Sequence, residues 1–154
     1  MTDAELVALA VAARNGLVLP ADTPARAWWV FPPAGEEANY ALVELGGPNG
    51  AVGVAAVERR TGSLLSSTRL PGQERHVVFD EAGALELAGH PAGRARLVWA
   101  PSRQTASPLY PLWEVRGTST SPGTVYVDLA GRTWPRLDPG GPGGGPPPDL
   151  SPSG

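Results

Sequence analysis

Few side chains in this sequence can do chemistry, and their spacing limits what they do. His76 and His90 are its only histidines. Ser–His catalysis needs a base beside an exposed hydroxyl and a third group to orient that base. Ser66, Ser67, Ser102 and Ser107 have no nucleophile-elbow motif around them. Neither histidine has a partner at a spacing that points to a metal site. The absence of cysteine removes thiolate ligands, disulfides and a thiol nucleophile. Residues 46–50 are glycine-rich, but no Lys-Ser/Thr or helix follows, as a phosphate loop would need. Asp3, Glu5, Glu36, Glu37, Glu58, Asp80, Glu81 and Asp128 are scattered rather than paired for acid–base work. No catalytic residue, metal ligand or cofactor is expected.

Arginine and glutamate recur in a pattern instead. Ala25-Arg26-Ala27-Trp28-Trp29 reappears about 70 residues on as Ala95-Arg96-Leu97-Val98-Trp99. Tyr40-Ala41-Leu42-Val43-Glu44-Leu45 reappears as Tyr110-Pro111-Leu112-Trp113-Glu114-Val115. If each segment closes as a hairpin, Arg26 falls opposite Glu44 and Arg96 opposite Glu114. The simple reading is a cross-strand ion pair worth a fraction of a kcal/mol. The sharper one is two related polar positions on an exposed sheet face, able to hold a partner. Trp28 and Trp29 point to opposite faces of one strand. Trp29 and Trp99 read as core, and Trp28 as either shared core or recognition surface.

These residues need elements to hold them. Thr2 and Glu5 form a capping box, and Leu6, Leu9, Ala10, Ala13 and Leu17 follow at helical spacing. Gly16 is placed to end that helix. Strand-like runs over 26–31, 39–45, 52–58 and 63–67 are bounded by Gly, Pro and Asn. Asp80 caps a shorter helix to Ala88, and strands over 96–100, 109–115, 124–128 and 132–134 repeat the meander. From Asp138 onward Pro and Gly dominate, which reads as a disordered tail.

The expected fold is α+β: two tandem helix-plus-antiparallel-meander repeats, 1–70 and 73–137, sharing a core in one domain, with a tail over 138–154. Units of that size bury too little apolar surface to stand alone. The net charge of −3 argues against a nucleic-acid binder, and the scattered Arg59, Arg60, Arg69 and Arg75 are interrupted by acids. No apolar stretch approaches bilayer length, and the N-terminus is no signal peptide, so a cytoplasmic location without membrane contact is expected.

Trp28-Trp29-Val30-Phe31, the leading helix, and Val57-Glu58-Arg59-Arg60-Thr61-Gly62-Ser63 carry a resemblance. The outline resembles small PepSY-like, cystatin-like units and, more particularly, the YrhB-type immunity-protein family, over about the first 67 residues. What that resemblance implies is a non-catalytic protein that binds or neutralises another protein, with no catalytic residues to carry over. The expected partner is a protein, a toxin or a subunit of a complex, and the chain itself is a monomer or homodimer. Recognition is expected through Arg26, Trp28, Glu44, Arg96 and Glu114 on a sheet face, with Glu36 and Arg103 on the loops 32–39 and 103–108. The alternative is a structural or accessory subunit, such as an assembly chaperone.

Overall fold

The computed structural model describes residues 1–139. Helix α1 spans Asp3–Leu17. Thr2 Oγ1 accepts the Glu5 N–H at 3.1 Å, and Glu5 Oε1 accepts the Thr2 N–H at 2.8 Å. The reciprocal bonds satisfy two amides that the first turn leaves unpaired.

The helix does not stop at Gly16. Val18 caps it in the left-handed region, at φ 54° and ψ 55°. A Cβ on Gly16 would lie 2.2 Å from Leu64 Cδ2, so this glycine lets the last turn approach its neighbouring strand. Left-handed backbone is costly for a β-branched residue, and the Val18 side chain is 81% exposed. Val18→Gly should therefore stabilise the protein by about 1 kcal/mol, since it relieves strain and sacrifices little packing. A rise in thermal midpoint checks this, and a fall would show that Val18 is not strained.

The strands are β1 (Ala25–Phe31), β2 (Tyr40–Gly47), β3 (Gly50–Glu58), β4 (Leu64–Arg69), β5 (Arg94–Val98), β6 (Leu112–Arg116), β7 (Thr124–Val127) and β8 (Thr133–Trp134). Helix α2 spans Glu81–Ala88, with Asp80 Oδ1 accepting the Gly83 N–H and Gly89 closing it in the left-handed region. The eight strands make one mixed sheet in the order β4-β3-β2-β1-β5-β6-β7-β8. Its single parallel pairing joins β1 to β5, with Val30 opposite Leu97 and Phe31 opposite Val98. Two antiparallel meanders thus fan outward from a central seam, and β4 and β8 form the outer edges. Strand β6 starts three residues later than its sequence suggests. Pro111 has no N–H to give a ladder, and Leu109 is buried in the core instead.

The helices lie on opposite faces of the sheet. Ala25, Ala27 and Trp29 pack with Leu9, Ala13 and Leu17 of α1. Side-chain alternation sends Trp28 and Val30 to the other face, and parallel pairing keeps Leu97 on the Val30 side. There Leu97, Trp113, Val115 and Val127 form one cluster with Ala84 of α2 and with Val30, Tyr40, Leu42, Val54 and Ala56. That cluster spans both meanders. Among the described residues no helix is long and apolar enough to cross a membrane.

Asp138 and Pro139, expected in the tail, stay attached. Arg103 N–H donates to Asp138 O at 3.0 Å, and Ser102 pairs with Pro139. The rest of the expected tail lies outside the described residues.

Candidate functional site

Each meander has one face without a helix, and each such face carries one of the two glutamates. Strand register sets Arg26 against Glu44 and Arg96 against Glu114. Neither glutamate is exposed, which corrects the expectation of open polar positions. Glu44 is 4% exposed and Glu114 2%. A carboxylate out of water needs donors, because desolvation otherwise outweighs the pair attraction.

Glu44 has a full set. Its Oε1 accepts from Arg26 Nε at 2.8 Å and from Arg26 Nη2, with Arg75 Nη1 at 3.6 Å. Its Oε2 accepts the backbone N–H of His76 at 2.7 Å and of Val77 at 2.9 Å. Arg26 Nη2 also donates to Val77 O at 2.9 Å. The connection between the two meanders is thereby stitched across the helix-free face of the first, with Val77 buried beneath it.

Glu114 is held differently. Its Oε1 accepts Arg96 Nε at 3.1 Å and lies 3.2 Å from Arg116 Nε. Among the described residues, its Oε2 receives only the Tyr126 hydroxyl, at 3.4 Å. Burial pushes the Tyr126 phenol up, and the Glu114 charge pushes it further, so Tyr126 remains a donor toward this carboxylate. Arg96 spends its other N–H groups on the 33–35 loop, giving Nη1 to Gly35 O at 2.7 Å and Nη2 to Pro33 O at 3.1 Å. A cavity of about 410 Å³ remains, lined by Glu36, Arg94, Arg96, Glu114 and Arg116 among others.

Three of the sequence-expected residues, Glu36, Arg96 and Glu114, therefore meet in one pocket. Arg26 and Glu44 meet on the opposite face, beneath the connecting segment. Trp28 is half-buried against the shared core, with the Arg26 guanidinium 4.8 Å over its ring. Arg103 is exposed on the loop that holds Asp138. Arg94 and Arg116 were missed, although each lies two residues from a chosen one and so shares its face. Nothing in the sequence marks the His76 and Val77 amides, because any residue but proline supplies them.

A second groove, of about 730 Å³, runs between the connection, the 104–107 loop and the turn at 128–132. His76 Nε2 is engaged with Leu109 O, and its ring tilts against Tyr110 at 4.9 Å. The Asp128 beside it braces a turn. Burial alone would raise its carboxyl, but donors from Arg132 and Trp134 outweigh that and hold it below the ordinary aspartate range. Among the described residues, no group of three or more His, Cys, Asp or Glu side chains is placed to hold a metal.

No protein-family model matches the chain, and neither a curated protein nor a solved structure does.

Proposed function

We propose that this chain is a non-catalytic protein-binding protein, immunity-like or inhibitor-like, built from two copies of one PepSY-like or cystatin-like unit. Supporting the duplication, each half is a helix followed by four antiparallel strands, and Arg–Glu pairs stand at matching register. A pseudo-twofold axis along the seam would place equivalent residues on opposite faces, as Ala27 and Leu97 are.

One observation carries the binding role. The chain's own backbone closes over Glu44, whereas the matching Glu114 sits at the floor of an open pocket ringed by arginines. A buried carboxylate with room above it is a site that a partner completes. Co-purification of the full chain from its native host, identification by mass spectrometry and reconstitution from purified components should give one stoichiometric protein partner. Loss of the partner's own activity on mixing would support the immunity or inhibitor role. A stable complex with that activity intact would overturn it in favour of an accessory subunit. Absence of any stoichiometric partner would overturn the protein-binding role itself.

A further inference from the structure

We infer that the Glu114 pocket takes a short acidic segment of a partner polypeptide, bent so that two successive backbone N–H groups donate to Glu114 Oε2 and a carboxylate side chain is set between Arg94 and Arg116. This rests on the protein-binding role proposed above and names the chemistry of what is bound.

The first helix-free face shows how such a site looks when filled. There a bent stretch of chain gives two successive amides to Glu44 Oε2 and a carbonyl to Arg26. In the second, carbonyls of the 33–35 loop already accept from Arg96, as Val77 O does from Arg26. Among the described residues, only the amide donors have no counterpart. Glu114 Oε2 is left with one long hydroxyl contact, although a carboxylate oxygen has room for two good donors. Leaving a buried acceptor short of donors is costly, and a ligand that supplies them recovers that cost on binding. At the sequence positions about 70 residues beyond His76 and Val77 stand Pro146 and Pro147, and proline has no N–H.

Charge decides the rest. Arg94 stands directly opposite Arg116 across the β5–β6 ladder, a like-charge pairing that disfavours the empty site. Among the described residues no carboxylate is within ion-pair distance of Arg94. With Arg96, these are three guanidinium groups against Glu114 and the rim residue Glu36. A basic ligand would be repelled. A free anion such as sulfate would meet the arginines but bring no donor to Glu114. An acidic peptide backbone satisfies both.

The test is fluorescence anisotropy with a labelled, acetylated octapeptide of alternating Glu and Val, against the full chain. The peptide should bind, and Arg94→Ala with Arg116→Ala should weaken it at least tenfold. Both side chains are exposed, but Arg116 also lies 3.2 Å from buried Glu114, so Arg94→Ala alone, which should keep the wild-type thermal midpoint and still weaken binding, controls for any loss of stability in the double variant. Methylating successive backbone nitrogens of the peptide should weaken binding about as much, because Glu114 then loses its donors. Equal binding of the Lys–Val counterpart, indifference to N-methylation, or full displacement by inorganic sulfate would each overturn the inference. If a natural partner still binds the double variant with unchanged affinity, this inference fails while the protein-binding role stands.

Discussion

Trp113→Ala should cost about 3–5 kcal/mol, read from the midpoint of urea unfolding at unchanged slope. Trp113 is 4% exposed on β6 and lies in the cluster that joins α2 to both meanders. Truncation would open a cavity where the two halves share their core, and a sheet fixed by strands on every side closes such a cavity poorly. The indole Nε1 is buried without a hydrogen-bond partner, so the loss is one of packing. Trp113→Phe separates the terms. It keeps most of the ring and removes an unpaired donor, so its cost should be about 1–2 kcal/mol. Equal losses for the two variants would show that the indole N–H, rather than ring volume, holds this position.

Glu44→Ala is expected to be nearly as damaging, at about 3 kcal/mol. It strips the acceptor from two backbone amides and a guanidinium together. The connection over the first face should then loosen, and hydrogen exchange at the His76 and Val77 amides should become fast. Glu114→Ala should cost less, since Arg96 keeps its carbonyl partners and Arg116, at 61% exposed, can return to water. Persistent protection of His76 and Val77 in the Glu44 variant would show that Glu44 does not hold that segment. A larger loss at Glu114 than at Glu44 would reverse the proposed order of the two sites.

Much of this was legible where a local rule applied. The Thr2–Glu5 box and the Asp80 cap follow from side chains that satisfy first-turn amides. The Arg26–Glu44 and Arg96–Glu114 registers follow from strand alternation and hairpin closure. What remained hidden depends on segments distant in sequence. Glu44 and Glu114 read as members of cross-strand ion pairs or as open polar positions on a sheet face, and neither reading implies burial. They are buried because residues 75–77 and 33–35 cross their faces. Gly16 read as a helix stop, but its missing Cβ serves the approach of Leu64. The parallel β1–β5 seam has no sequence signature, since it spans only two residue pairs.

The outer strands of the sheet limit how this protein can associate. A lone meander would leave β1 as a bare row of amides and carbonyls, a template for any passing chain. Joined at the seam, the two halves spend those open groups on each other. The remaining margins are a two-residue β8 and a β4 that runs out through Ser66, Ser67, Thr68 and Arg69. Neither offers a long apolar ladder for growth. Self-templated polymerisation through the strand edges is thereby suppressed.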